Sequence, residues 1–388
     1  MSSEKLPTPP AIGPYLDAAA SLFHPVTAPF ANSVNKFHGW KESMGLIQPG
    51  TTENLTREVN QTLLTNYFFE GARADLTKAV SMSPAFQVSH AFALGSATKP
   101  ANYSFGAIFA NAQTLLQGGV DNSGNVTMRA NQTWSGNDLT KIQGQVSLGR
   151  ILHLAEGLTL GQFSQTAGHS MLQLEHDHLG PHYSLNLKTI NPSPTDLTGI
   201  HMVSFLHSFS PRLAAGFETV IQHPQPNILE ASTSWLAKLT SLPSFTPISV
   251  DPSLPAPFEP SWTATAQLQP SGNIQATYYQ RLSDKVDVAL DLQTIIQGPS
   301  MMGPAKREAL ATVGAKYDMR MSTFRGQVDS SGKVGMLLEQ RFTPAFAFLV
   351  GGEIDHAKDT SRIGVGIMIE SSTMTPEEMM AAGMIAPA

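Results

Sequence analysis

Lys285-Val286-Asp287-Val288-Ala289-Leu290-Asp291-Leu292-Gln293 decides the fold: Lys285, Asp287, Asp291 and Gln293 share one parity, and Val286, Val288, Leu290 and Leu292 the other. A period of two marks a β-strand whose two faces meet different surroundings. The same alternation recurs along the chain. Asn125, Thr127, Arg129, Asn131 and Thr133 alternate with Val126, Met128 and Ala130. Ser184, Asn186 and Lys188 alternate with Tyr183, Leu185 and Leu187, and Thr323, Arg325, Gln327 and Asp329 with Phe324, Gly326 and Val328. Turn signals separate such runs at Asp121-Asn122-Ser123-Gly124, Pro270-Ser271-Gly272-Asn273 and Asp329-Ser330-Ser331-Gly332. The spacing predicts about nineteen strands of about ten residues between Ala72 and Glu370.

This pattern fits a soluble sandwich or propeller with its apolar face inward. It equally fits a membrane barrel with its apolar face toward lipid and its polar face toward a wet lumen. Strand length favours the barrel, since a tilted crossing needs about 9–11 residues and globular strands average about 5–6. Arg129, Lys188, Asp287 and Arg325 lie mid-strand on a face without bulky hydrophobes. Charged residues make up 14% of the 388, against about 25% in ordinary soluble domains, as an uncharged outer band requires. A net charge of −6 argues against a nucleic-acid partner held by phosphate charge. The absence of cysteine excludes a disulfide framework, a thiolate metal site and a cysteine nucleophile. No run reaches the ~18 apolar residues of a membrane-spanning helix. Met1–Pro10 lacks the basic start and apolar core of a secretory signal.

Upstream of the strands, residues 1–48 form a Pro-rich extension without sustained period. Pro49-Gly50-Thr51 breaks the chain, and Leu55, Val59 and Leu63 then recur at helical spacing, with Glu53, Arg57, Glu58 and Gln61 on the other faces. The spacing predicts one amphipathic helix over 53–66, whose polar faces exceed its apolar stripe and so suit a wet lumen. The organisation expected is an extension over 1–48, a pore-lining helical segment over 49–71, a transmembrane barrel over 72–370 and a tail over 371–388. Pro243–Pro260 is an irregular loop. His90 shares parity with Phe86, Val88 and Phe92, which suggests that this strand meets another protein or the membrane interface.

Motifs for chemistry are weak. His176, His178 and His182 with Glu175 and Asp177 have the spacing of metal ligands, but they also fit a polar strand end before Gly180-Pro181, and no metal is assigned. Gly364-Val365-Gly366 lacks the third glycine and the helix of a dinucleotide loop. There is no Gly-x-Ser-x-Gly elbow and no phosphate-loop lysine. Neither a catalytic residue nor a cofactor is expected.

Three stretches carry a family resemblance. The first is Pro49-Gly50-Thr51, Glu53, Leu55, Glu58-Val59, Tyr67-Phe68-Phe69, Gly71, Arg73-Ala74-Asp75-Leu76, Lys78, Pro84, Phe86-Gln87, Ser89-His90 and Phe92. The second is Lys316-Tyr317, Arg320, Arg325-Gly326, Val328-Asp329, Gly332-Lys333-Val334 and Leu338-Glu339, and the third is Gly352-Glu353-Ile354-Asp355-His356 with Lys358. Over 49–370 the chain resembles the channel subunit of the translocase of the outer mitochondrial membrane, in its fungal form, with 149–168 as an insertion. The resemblance implies an all-β fold: a nineteen-stranded transmembrane barrel, its first and last strands parallel, with an N-terminal helix inside the pore. It implies a channel for unfolded precursor proteins. The partners it implies are presequences, receptor and small single-helix subunits of that complex, a second copy of the channel, outer-membrane lipid and the sorting and assembly machinery. Two alternatives stay open, the metabolite porin of the same membrane and a soluble β-rich interaction protein.

The expected site residues follow. Glu53, Leu55, Glu58, Val59 and Leu63 form the pore helix. Asp287, Asp291, Asp329, Glu353 and Asp355 form an acidic path for basic presequences. In the last strand, Arg362, Gly364, Ile367 and Ile369 match the family's assembly signal, with Ile363, Val365, Ile367 and Ile369 toward lipid and Gly364 admitting another strand closely.

Overall fold

The computed structural model describes residues 46, 48–95, 100–147, 170–193, 196–225, 227–241, 261–297 and 306–371. The chain divides into two units, Met1–Ile47 and Gln48–Ala388, and the second carries the strands found among the described residues. The extension, the 149–168 insertion, the Pro243–Pro260 loop and the tail lie outside the described residues, apart from edge positions.

Nineteen strands form one sheet. They are β1 (Gly71–Met82), β2 (Ala85–Ala93), β3 (Asn102–Ala110), β4 (Thr114–Asp121), β5 (Asn125–Ser135) and β6 (Asp138–Ser147). Then come β7 (Met171–Leu179), β8 (Tyr183–Ile190), β9 (Gly199–Ser208), β10 (Leu213–Gln225), β11 (Ile228–Thr240) and β12 (Trp262–Leu268). The sheet continues through β13 (Ile274–Ser283), β14 (Val286–Gln297), β15 (Lys306–Asp318), β16 (Ser322–Asp329), β17 (Lys333–Thr343), β18 (Phe346–Asp355) and β19 (Thr360–Ser371). Each strand pairs with its sequence neighbours, antiparallel throughout. The sheet closes through β1 and β19, which run parallel from Gly71 opposite Gly364 to Lys78 opposite Ser371. An odd number of up-and-down strands forces this parallel seam.

The turns form where their residues demand them. At Asp121–Gly124 and Asp329–Gly332 the aspartate Oδ1 accepts the backbone N–H groups of residues two and four further on. Gly124 and Gly332 take φ of 74° and 88°, a region open to glycine at little cost.

Burial decides between the two architectures. Outside, Leu292, Val313, Phe324, Val328, Met336, Val350, Ile354, Ile363, Val365 and Ile369 are exposed. Inside, Glu175, Asp177, Ser184, Asn186, Ser204, Ser234, Thr265, Thr277, Thr312 and Arg325 are buried. A soluble barrel would have the reverse. With no open edge left among the described strands and its apolar face outward, this sheet is built to cross lipid.

The helix expected over 53–66 is shorter and broken. A 3₁₀ turn spans Thr52–Asn54, and a helix, α1, spans Arg57–Thr62. Thr56 leaves helical geometry at φ −106°, ψ 18°, and Leu63 turns extended at ψ 155°. The physical reason is tertiary. Leu63 and Leu64 are consecutive yet both buried, and a continuous helix would point them about 100° apart. Each instead finds its own seat on the wall.

Candidate functional site: the lumen and its interior segment

Residues 48–70 lie inside the barrel and climb its wall from β8 round to β19. At the start, Gln48 Nε2 donates to the Gly180 carbonyl (3.3 Å), and Ser184 Oγ donates to the Gly50 carbonyl (2.7 Å). Leu55 packs with Leu206, Ala214 and Leu236 of β9, β10 and β11. Val59 and Leu63 pack on Ala289 of β14, with Tyr279 of β13 beside them. Leu63 lies over Gly314 of β15 and Leu64 over Gly335 of β17, where an added Cβ would stand 2.6 Å from a leucine Cδ2 in each case. The Leu64 N–H donates to Gln327 Oε1 (2.8 Å), which satisfies the backbone just where the helix stops. Tyr67 lies beneath the Arg325 guanidinium, 4.0 Å from its ring centroid. Phe68 meets Gly351, and Phe69 meets Gly364 and Gly366. The expected stripe Leu55, Val59, Leu63 is thus the face that packs on the wall.

One ionic cluster ties the start of this segment to the wall at β6 and β7. Lys141 of β6 reaches Glu53 (2.9 Å), Glu175 (2.9 Å) and Asp177 (2.8 Å). Asn186 Nδ2 donates to Glu175 Oε1 (2.7 Å) and also to Asp177. The side chains of Glu175 and Asp177 are 2% exposed and that of Lys141 13%, while Glu53 is 52% exposed. Burial pushes the Glu53 carboxyl up, but the hydrogen bond and charge of Lys141 outweigh it and hold the group below its ordinary value. Glu53 is among the residues expected from the sequence; Lys141 is not. Its signal was available: Lys141, Glu175 and Asp177 all occupy lumen parity on strands that pair.

The expected acidic path divides. Asp291, Asp329 and Glu353 line one cavity of about 570 Å³, together with Lys333, Arg362 and Phe69. Asp291 accepts from Gln293 Nε2 (2.7 Å) and Gln275 Nε2 (3.3 Å). Asp287 lies under α1 against Tyr279, and one of its oxygens is buried without a hydrogen bond, as is Oε2 of Glu58. Asp355 is buried and accepts the N–H groups of Ala357 (3.0 Å) and Lys358 (3.1 Å). In β19, Ile363, Val365 and Ile369 are exposed on the outer face. Gly364 faces the lumen opposite Gly71 of β1, and Phe69 of the interior segment lies against it.

Alternation also separates the histidine cluster. Glu175 and Asp177 face inward, while His176 and His178 face outward. There His178 Nδ1 lies 2.7 Å from Asp138 Oδ1 and its Nε2 3.2 Å from the Tyr183 hydroxyl. Outward-facing His90 has a partner within the wall, the Tyr103 hydroxyl at 2.9 Å from Nδ1, with the two rings stacked.

A closed, odd-stranded barrel, apolar outside and polar inside, that holds the stretch of chain preceding its first strand is a channel of the porin class. The eukaryotic porin family pattern matches residues 48–364. The chain is 38% identical over 353 residues to the mitochondrial import receptor subunit tom40 of Neurospora crassa, covering 90% of each chain. It is 33% identical over 388 residues to TOM40 of Saccharomyces cerevisiae, covering 95% of this chain and 91% of that one. Identity to the human TOM40 homolog is 25% over 337 residues, 84% and 79% of the two chains. The chain belongs to the eukaryotic porin family, among its mitochondrial import receptor subunits.

Proposed function

We propose that this chain is the protein-conducting channel through which unfolded precursors cross the mitochondrial outer membrane. The observation that carries the reading is the match to import receptor subunits along about nine-tenths of the chain, on a barrel whose polar face encloses the lumen. The interior segment narrows the pore from one side and, with the wall, lines the cavity beside Asp291, Asp329 and Glu353. Basic presequences meet these acids weakly, in a wet and salt-screened site, as a conduit requires. The partners are the precursors themselves, receptor and small single-helix subunits of the translocase, and a second copy of the channel. Sorting machinery reads Arg362, Gly364, Ile367 and Ile369 of β19. In domain terms, 1–48 is an appended extension, 49–71 lines the pore, 72–370 spans the membrane and 371–388 is a tail.

The test is single-channel conductance of the full chain in planar bilayers with added presequence peptide. The channel reading expects voltage-dependent block that weakens as salt rises. A metabolite porin would pass ions unblocked at every salt concentration, and that result would remove the reading.

A further inference from the structure

We propose that Phe69 is the latch that holds the barrel's parallel seam closed from inside. Among the described strands, β1 and β19 are the one parallel pair, and parallel pairing is slightly weaker per residue than antiparallel. The Phe69 ring touches both sides of that seam. On β19, an added Cβ at Gly366 would stand 2.9 Å from Phe69 Cζ and 3.5 Å from Cε2. At Gly364 it would collide with the Phe69 carbonyl oxygen and stand 3.2 Å from Cδ2. On β1, the Arg73 guanidinium lies 5.6 Å from the centre of the same ring, and Arg73 is the register partner of Gly366. Asp75, also on β1, holds Arg73 in place by an ion pair.

The two glycines thus form a notch that the ring fills, and the arginine closes over it. Each contact alone is small. Together they place one aromatic across a joint that backbone pairing alone would hold, and they join the last strand to the segment that precedes the first. The interior segment therefore has a second task beside narrowing the pore. It reports that β19 has arrived, because the notch exists only when β19 lies against β1. This inference rests on the fold and not on what the channel carries.

The cysteine-free chain makes the test direct. Ala74→Cys with Ile367→Cys places thiols across the seam, and Ala74→Cys with Phe92→Cys places them across the antiparallel β1–β2 pair. Full-length protein in detergent is oxidised at rising temperature, with and without Phe69→Ala. The latch expects seam cross-linking to fall several-fold at temperatures where the β1–β2 pair still cross-links normally. Equal loss at both pairs, or no loss at either, would overturn it. A second arm guards against misfolding. Gly366→Ala should destabilise the seam strongly beside Phe69 and much less in the Phe69→Ala background. Gly335→Ala, which meets Leu64 instead, should cost the same in both. If Gly366→Ala is also indifferent to residue 69, the notch is not a seat for the ring and the proposal is wrong.

Discussion

Replacing Lys141 by methionine should destabilise the barrel far more than any change at its exposed partner. The substitution keeps the length and apolar stem of the side chain but leaves Glu175 and Asp177, each 2% exposed, without their cation. Removing one partner of a buried ion pair costs about 3–5 kcal/mol; with a wet lumen nearby, the lower end, about 3 kcal/mol, is expected. Glu53→Gln removes the half-exposed arm of the same cluster and should cost no more than about 1 kcal/mol. Guanidinium unfolding of the full chain in detergent, followed by emission of its 4 tryptophans, measures both. The triple variant Lys141→Met, Glu175→Gln, Asp177→Asn should recover most of the loss, since neutral amides need no counter-ion and Asn186 can still hydrogen-bond to them. Equal costs for Lys141→Met and Glu53→Gln, or no recovery in the triple variant, would show that the buried charges are not what the lysine supports.

The Glu53 carboxyl, which burial raises and Lys141 lowers further, ends below its ordinary 4.5. Its contribution is therefore present above that value and is lost as pH falls through the folded-state value. Between about pH 7 and about pH 3 the parent should lose more stability than Glu53→Gln; parallel losses would disprove the linkage. Asp291→Lys with Glu353→Lys, both in the open cavity, should slow presequence import most at low salt while leaving assembly intact; import rates unchanged at every ionic strength would place the path elsewhere. Ile367→Asn with Ile369→Asn should stall the chain before it enters the complex, visible as loss of the mature band on native gels.

What was legible in the sequence, and what was not, follows from the two environments the wall separates. Lipid asks the same thing of every outward residue, so Val286, Val288, Leu290 and Leu292 announce themselves by period alone, and strand number follows. The lumen asks different things at each position. Leu63 and Leu64 look like one helix edge in the sequence, yet one is drawn to Gly314 and the other to Gly335, and that divergence ends α1 at Thr62. Lys141 and Glu175 are 34 positions apart and meet only because β6 pairs with β7. The glycines of β15 to β19 were harder still. In the sequence Gly314, Gly335, Gly351, Gly364 and Gly366 are gaps in an alternating pattern. In the barrel they share the inward face, and the stretch Leu63 to Phe69 comes against each of them, by side chain at Gly314, Gly335 and Gly366, by the Phe69 carbonyl at Gly364, and beside Leu337 at Gly351. A missing side chain carries no signal by itself, because it does not say what will occupy the space. Five of them at the same parity on neighbouring strands do carry one: something inside the barrel must lie against that wall, and the chain that enters β1 is the nearest candidate.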